Sequence, residues 1–324
     1  MKRTLYIFSD GKIYRSENTL FLETKDSKKS LPINAISDIQ IFGEIEINKK
    51  LLEFLTQNKI CVHFFNRYGY YIGSYYPREF YNSGFIILEQ AKHYLDIEKR
   101  LFLARSFVLG AILNIIKNLK VYNLDNELNE ISNKINELEN LNSIEEIMAF
   151  EGNIRKNYYQ AFNKIIKNSD FEFDERVKNP PNNPINALIS FGNSLLYITA
   201  LSQIYRTYLD PRIGYLHETN FRSFSLNLDI SEVFKPIIVD RVIFSLLNKG
   251  QLNLNHFLSE LNACYLNEEG IKIFVKSFEE KLNSTIIYKN IGKVSYRRLI
   301  RIECYKLYKH FIGEEIYKAF VIKE

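Results

Sequence analysis

The sequence predicts an α+β protein of two domains, in which a small β-rich, sandwich-like domain precedes a larger all-α domain. The chain has 324 residues, about twice the usual length of a single domain. Short runs rich in Tyr, Ile, Leu and Phe, separated by polar or glycine-containing breaks, fill roughly the first 80 residues and indicate strands. From about Leu88 the apolar residues recur every three or four positions, which indicates helices. We therefore place the domains at residues 1–82 and 83–324.

Six runs predict the strands of the first domain, and a capping residue predicts a helix within it. Asn48 is a residue type that caps helices, and it precedes the apolar face formed by Leu51 and Leu55. The turn at 66–69 separates the last two runs, which are therefore expected to form a hairpin. The predicted strands are Thr4–Phe8, Lys12–Arg15, Leu20–Glu23, Asp38–Phe42, Ile60–Phe65 and Tyr70–Tyr75.

Capping residues and prolines divide the helical part of the chain. Ser143 and Glu146 have the S-x-x-E spacing of a capping box, which predicts a helix that continues through Glu151. The prolines at 180, 181 and 184 interrupt the helical period, and a new helix is expected from Ile185. Ser295 is predicted to cap a helix near the C-terminus. The residues of that helix expected to face the core are Leu299, Ile300, Cys304, Leu307 and Phe311.

The composition is that of an ordinary globular protein, with 46% hydrophobic and 25% charged residues. The longest apolar stretch runs from Phe107 to Ile116 and is interrupted by Asn114. It is shorter than the roughly 20 residues needed to span a bilayer. The N-terminus lacks the pattern of a signal peptide, and the three cysteines form no C-x-x-C pair. A cytoplasmic protein with no membrane association is therefore expected.

The charge is unevenly distributed along the chain, although the net charge is only +5. Residues 125–146 carry a net charge of −6, and residues 281–310 carry +7. Such separation is typical of a protein that presents one face to phosphates, and it is also found on ordinary solvated helices. Both interpretations stay open at this point.

Three residues have the types and spacing of a metal site. His217 is followed by Asp229 and Glu232, which are three residues apart and share a face if they lie on a helix. An imidazole and carboxylates without sulfur suit magnesium or manganese. The alternative is a pair of acids on a solvated helix surface. The apolar neighbours of the two acids count against it, because a carboxylate near a buried face needs a partner.

Glu151 is a further candidate carboxylate. It has Arg155 one turn later, and the simplest interpretation is an i, i+4 ion pair. Gly152 lies in the middle of this predicted helix, where glycine costs about 1 kcal/mol relative to alanine, so it is expected to allow close approach of a ligand or a packed helix. The glycine-rich nucleotide-binding motifs and the G-x-S-x-G motif are absent from the sequence.

Taken together and in order, these segments resemble the CRISPR-associated adaptation integrases, and the resemblance runs nearly end to end. It includes the β-rich stretch with Ile39-Gln40-Ile41-Phe42-Gly43 and Ile60-Cys61-Val62-His63-Phe64-Phe65. It continues through the segments Glu151-Gly152 with Arg155, Pro184-Ile185-Asn186-Ala187-Leu188, Gly214-Tyr215-Leu216-His217, and Leu228-Asp229-Ile230-Ser231-Glu232 with Lys235-Pro236.

The resemblance implies a metal-dependent DNA endonuclease and integrase. Such proteins insert short foreign DNA fragments into the CRISPR array by attack of a 3′-hydroxyl on a phosphodiester. Glu151, His217 and Glu232 would bind Mg²⁺ or Mn²⁺, and Asp229 would assist as a fourth catalytic residue. Glu232 stands where some relatives carry aspartate. The family works as a homodimer through its β domain, with a second small CRISPR-associated adaptation protein that bridges two dimers.

Basic and aromatic residues alternate on one face of the predicted C-terminal helix, as suits a phosphate backbone with a frayed end. Two alternative functions were weighed. One is a non-catalytic DNA-binding scaffold, and the other is a related integrase that serves a mobile element or DNA repair. The predicted DNA-contacting residues are Arg155, Arg297, Arg298, Arg301, Tyr305 and Lys309.

Overall fold

Two units make up the chain, Met1–Phe80 and Tyr81–Glu324, here called the β unit and the helical unit. The computed structural model describes residues 2–79, 81–178, 180–219, 224–260, 263–288 and 291–323. The α+β class predicted from the sequence is confirmed, with the strand-rich part first.

Two four-stranded sheets and one helix share the core of the β unit. The sheets have the strand orders β1-β5-β7-β8 and β4-β3-β2-β6. Strands β1, β5 and β7 are parallel, and β8 returns antiparallel to β7 as the expected hairpin. Buried residues of both sheets and of α1 form one apolar cluster, which includes Ile7, Ile13, Ile39 and Leu55. The elements are β1 (Arg3–Ile7), β2 (Gly11–Ser16), β3 (Thr19–Glu23), β4 (Lys28–Leu31), β5 (Ile36–Ile41), β6 (Ile45–Glu46), α1 (Lys49–Gln57), β7 (Val62–Phe65) and β8 (Tyr71–Tyr75).

The sequence patterns located most of these elements and missed β4 and the two-residue β6. Asn48 caps α1 as expected, because its Oδ1 accepts a hydrogen bond from the Leu51 amide at 2.9 Å. Strand β4 is an edge strand that pairs only with β3, and three of its four residues are exposed. An exposed edge strand needs no apolar alternation, so it leaves no pattern in the sequence.

The helical unit contains ten helices in its described residues. Ser143 and Ser295 cap α5 and α11 as predicted, through bonds from the amides of Glu146 and Arg298. The reciprocal half of the capping box lies one residue earlier than predicted, because Glu146 accepts from the Asn142 amide. The helices are α2 (Gly84–Leu95), α3 (Ile97–Val121), α4 (Asp125–Lys134), α5 (Ile144–Gln160), α6 (Phe162–Ile165), α7 (Pro184–Ile204), α8 (Leu226–Lys235), α9 (Arg241–Asn248), α10 (Glu268–Asn283) and α11 (Tyr296–Phe311).

The expectation of a purely helical second domain is corrected by two short hairpins. Strands β9 (Phe257–Glu260) and β10 (Ala263–Leu266) precede α10, and β11 (Thr285–Tyr288) and β12 (Gly292–Ser295) join α10 to α11. Each strand has four residues, which is too short for a strand period to stand out beside the helical one.

Helices α3 and α7 form the centre of the helical unit. Both are long and apolar enough to cross a membrane by length and composition. Their most apolar windows are 61% and 83% buried within the unit, as in core helices of globular proteins. Asn114 and Asn118, which interrupt the apolar sequence of α3, are fully buried.

Candidate metal centre

Arg155 joins two of the predicted metal-binding carboxylates. Glu151 and Arg155 lie one turn apart on α5, and the Arg155 Nε donates to Glu151 Oε1 at 2.6 Å. The same guanidinium donates from Nη2 to Glu232 Oε2 on α8 at 2.8 Å. Arg155 is 6% exposed, so it is an internal counter-ion of the two glutamates rather than the surface DNA contact that the sequence suggested. Gly152, which follows Glu151 in the sequence, faces open space among the described residues, so no packed helix explains the glycine.

Glu232 is the most strongly compensated acid of the site. It is buried, and Lys235 Nζ, one turn later on α8, contacts its Oε1. Burial alone would raise the pKa of this carboxyl, but the charges of Lys235, Arg155 and His217 outweigh it and lower the pKa to about 2. Glu232 is therefore ionised at every physiological pH.

Asp229 orients His217. The Asp229 carboxylate accepts hydrogen bonds from the backbone amides of Tyr215, Leu216 and His217 at 2.5, 3.2 and 2.9 Å. Its Oδ1 also lies 2.8 Å from His217 Nδ1. With the Nδ1 proton donated to Asp229, the lone pair of Nε2 is left to bind a metal, as in carboxylate–histidine–metal sites. That nitrogen points to the site, 3.9 Å from Glu232 Oε1.

The loop that carries His217 is closed tightly against the start of α8. The Gly214 amide donates to Ser225 Oγ at 2.9 Å, and the amides of Ser225 and Leu226 both donate to the Pro211 carbonyl. A Cβ at position 214 would lie 2.8 Å from the Ser225 side chain and 2.9 Å from the His217 carbonyl. Only glycine fits there without moving His217.

The side chains of the site have the donor chemistry of a divalent-metal site. Among the residues that the structure describes, no three histidine, cysteine, aspartate or glutamate side chains are grouped closely enough to hold an ion. Instead, Arg155 contacts both Glu151 and Glu232, and Lys235 contacts Glu232. Two carboxylates on one guanidinium and an oriented imidazole nevertheless bring oxygen and nitrogen donors together, which suits a hard or borderline cation.

Asp240 is a buried acid of this region to which the sequence pattern gave no role. It is 1% exposed, and its Oδ2 has no hydrogen-bond partner in the described part of the chain. Burial raises the pKa of its carboxyl to about 7, despite the opposing charge of Arg155. It lies in a π-helical turn, Pro236–Asp240, that follows α8 directly.

The predicted DNA residues of α11 fall into two groups. Arg297 is buried and paired with Glu279 at 2.5 Å, so it is an internal ion pair. Arg298 and Tyr305 are exposed, Arg301 is half-buried, and Lys309 pairs with Glu315 at 2.8 Å. The five residues predicted to face the core are all buried, which confirms the orientation of the helix.

A buried glutamate, a partly buried one and a histidine whose ring is oriented by an aspartate have the residue chemistry of an enzyme that uses a divalent metal. Comparisons with known proteins identify the family. The model of the family described as CRISPR associated protein Cas1 matches residues 5–280. The chain therefore belongs to the Cas1 family, the endonucleases and integrases of CRISPR adaptation.

Relatives resemble the chain over its whole length. A CRISPR-associated endonuclease Cas1 of Thermodesulfovibrio yellowstonii is 55% identical over 99% of both chains. One of Thermotoga maritima is 46% identical over 97% of this chain and 98% of its own. A solved Cas1 structure from Thermotoga maritima has a TM-score of 0.91 at 45% identity, over 99% of this chain and 100% of that one. A casposase bound to integration product shares the fold at 22% identity, with a TM-score of 0.88 over 99% of this chain and 94% of that one.

Proposed function

We propose that Glu151, His217 and Glu232 bind the divalent metal of this Cas1-family enzyme, and that the metal is Mg²⁺ or Mn²⁺. The observation that carries the proposal is the contact of Glu151 and Glu232 with one buried guanidinium, beside the His217 Nε2. Asp229 acts on the imidazole and is the positioning residue of the set. The bound metal would polarise the scissile phosphodiester and stabilise the negative charge that develops on it.

The charges around the site favour a phosphate once a divalent ion is bound. Glu151 and Glu232 contact Arg155, Glu232 also contacts Lys235, and Asp229 contacts His217. With His217 neutral as a metal ligand, these three carboxylates and two cations carry one excess negative charge. A bound divalent ion would make the sum positive, and the loaded site would attract a phosphodiester.

The substrate of the proposed reaction is double-stranded DNA with 3′ ends. A 3′-hydroxyl of the incoming fragment attacks a phosphodiester of the CRISPR array, one P–O bond forms, and the opposite P–O bond breaks with release of a 3′-hydroxyl. Strand transfer by the purified protein, with its small adaptation partner and DNA, tests this. We expect product only with Mg²⁺ or Mn²⁺, and product formed equally well in excess chelator would contradict the proposal.

A surface on α7 and α11 supports DNA binding. Burial and the charges of Arg206 and Arg298 lower the pKa of the Arg301 guanidinium, so three arginines lie near one another. Gln203 holds Arg301 with two hydrogen bonds of 3.0 and 2.8 Å to its Oε1. Clustered guanidinium groups are suited to bind the phosphates of a nucleic acid backbone.

Tyrosines lie close to these arginines. The rings of Tyr208 and Tyr308 are 6.0 Å apart, and the ring of Tyr81 is 5.2 Å from that of Tyr208. Tyr305 is 45% exposed. Aromatic rings beside basic groups suit the unpaired bases of a frayed DNA end. We therefore propose Arg298, Arg301 and Tyr305 as DNA contacts, with Lys309 at the edge of the same surface, and we leave out Arg155 and Arg297.

Charge reversal of Arg298 and Arg301 is expected to weaken DNA binding. The double variant Arg298→Glu, Arg301→Glu removes two phosphate contacts, so the affinity falls and the slope of log K against log salt decreases by about 2. Fluorescence anisotropy across a salt series measures both. Lys134→Glu, in the acidic segment 125–146, is the matched control and should bind as the parent does. An unchanged salt slope in the double variant would exclude this surface.

The partners proposed for the chain are a second copy of itself and the small adaptation protein of CRISPR systems. Solved relatives of the same fold occur in Cas1–Cas2 complexes. In the β unit, the edge strand β8 exposes Ile72, which is 69% accessible, and this suits the predicted dimerisation role of that unit. Cys61, Cys264 and Cys304 are buried and form no disulfide within the described part of the chain, as suits the proposed cytoplasmic location.

The two alternative functions have less support. A non-catalytic scaffold would not need two glutamates around one buried guanidinium with a histidine beside them. An integrase of a mobile element or of DNA repair is disfavoured because the 55% identical relative is named as a CRISPR-associated endonuclease.

A further inference from the structure

Pro236 interrupts the helix that carries Glu232. In an α-helix the amide of residue 236 would donate to the carbonyl of residue 232, but proline has no N–H. The chain continues as the π-helical turn Pro236–Asp240 before α9 begins. A proline and a π-helical turn leave some carbonyl groups of the helix without a donor from the helix itself, so other groups bond to them. Both features also bend the helix axis. The backbone next to Glu232 therefore depends on donors from elsewhere in the unit.

Three side chains supply those donors. Arg155 Nη2 lies 3.4 Å from the Glu232 carbonyl oxygen. On α3, Asn114 Nδ2 donates to the Val233 carbonyl at 2.8 Å, and Asn118 Nδ2 donates to the Pro236 carbonyl at 2.6 Å. Asn114 and Asn118 are one turn apart and face the same side of α3. Their acceptors, the Val233 and Pro236 carbonyls, lie on the two sides of the junction between α8 and the π-helical turn.

The segment after α11 fixes Asn114. Its Nδ2 donates a second bond to the Phe320 carbonyl at 2.9 Å, and its Oδ1 accepts from the Ile322 amide at 2.9 Å. The side-chain amide of Asn114 thus bonds to the Phe320 carbonyl and to the Ile322 amide, as the backbone of a neighbouring strand would. Both hydrogens of the amide are used, and its oxygen is occupied, so the amide cannot flip without losing bonds.

Close packing brings α3, α8 and this segment together. At Gly110, one turn before Asn114, an added Cβ would lie 2.4 Å from the Ala319 Cβ and 3.5 Å from Val233. The rings of Phe234 and Phe320 stack with centroids 5.7 Å apart. Glu303 Oε1 accepts from the Phe320 amide at 3.0 Å, which fixes the segment from the other side.

We propose that Asn114 and Asn118 are positioning residues for the metal ligand Glu232, and that residues 320–322 hold Asn114 in the orientation that this requires. The inference rests on the proposed role of Glu232 as a ligand. Without these amides, the turn of helix that presents Glu232 would lose the hydrogen bonds that set its direction. Groups that hydrogen-bond a metal ligand directly typically change metal affinity by 10- to 100-fold. Asn114 and Asn118 act through the backbone next to the ligand, so we expect an effect near the lower end of that range.

The test is the affinity for Mn²⁺, measured by electron paramagnetic resonance on the full chain without DNA. Asn114→Leu, which keeps the volume and removes the bonds, should weaken Mn²⁺ binding by about 10-fold or more. Asn186→Leu is the matched control, because Asn186 is also a fully buried, hydrogen-bonded asparagine, on α7. It should lose stability and keep the parent affinity for Mn²⁺. Equal loss in both variants, or no loss in Asn114→Leu, would overturn the proposal.

A milder pair of variants tests the role of the segment 320–322. Ile322→Pro removes the amide that donates to Asn114, and Ile322→Ala removes side-chain packing but keeps that amide. We expect the proline variant to weaken Mn²⁺ binding more than the alanine variant. Equal affinities would show that the bond to Asn114 has no influence on the ligand. Glu232→Gln separates the two proposals: if it leaves Mn²⁺ affinity unchanged, the assignment of the ligand fails, whatever the asparagine variants do.

Discussion

Glu232→Gln is expected to lower the rate of strand transfer by about 10³-fold while the protein stays folded. The amide keeps the size of the side chain and one oxygen acceptor, but it removes the negative charge that binds a cation. Glu232 is the acid that contacts Arg155 and Lys235 and lies near His217. The negative charge of Glu232 therefore pairs with both Arg155 and Lys235 and is part of the proposed metal site. Glu151→Gln and His217→Ala should reduce the rate in the same way, since each removes one predicted ligand.

Glu232→Asp is the matched control for the first prediction. The shorter carboxylate keeps the charge, and some relatives of the resembled family carry aspartate at this position. We expect a large part of the activity to remain. Strand transfer measured as a time course, together with Mn²⁺ titration of each variant, separates loss of metal from loss of fold. Glutamine and aspartate variants with equal residual activity would argue against a role of the charge.

Arg155→Met is expected to make the stability of the helical unit strongly dependent on a divalent metal. The variant leaves the buried Glu232 and the partly buried Glu151 without their shared cation. Removal of one partner of a buried ion pair typically costs about 3–5 kcal/mol. A bound divalent ion would replace the missing charge, so the midpoint of unfolding should rise with Mn²⁺ more steeply than in the parent.

Arg297→Met provides the comparison for this second prediction. Arg297 is also a buried arginine paired with a glutamate, but its partner is Glu279 and not a predicted ligand. The Arg297→Met variant should be destabilised to a similar degree, and Mn²⁺ should not restore its stability. Thermal unfolding at several Mn²⁺ concentrations measures the effect. If both variants respond to the metal as the parent does, Arg155 is not the counter-ion of a metal site.

Local patterns predicted the caps, the inward face of α11 and the residue types of the site. Asn48, Ser143 and Ser295 act within three residues of their own positions, so a short window of sequence contains the whole interaction. The same window showed Glu151 and Arg155 as a helix pair. It could not show that Arg155 also binds Glu232, which lies 77 residues further along the chain.

The sequence predicted the burial of apolar side chains on α11 but not the burial of individual charged ones. Arg297 and Arg298 are adjacent and chemically alike, yet one is enclosed with Glu279 and the other is exposed. The difference depends on helix α10, which packs against α11 and carries Glu279. Similarly, Asn114 was noticed because it interrupts an apolar run. Its bonds to Val233 and Ile322 depend on segments 119 and 208 residues away.

The position of residues 320–322 in the chain has a consequence for biosynthesis. Glu151, His217 and Glu232 are all translated well before this segment. A nascent chain thus holds every proposed ligand while the amide of Asn114 still lacks Phe320 and Ile322 as partners. If those bonds set the direction of Glu232, a growing polypeptide cannot load its metal tightly, and a DNA-cutting centre matures only once synthesis of this segment is complete.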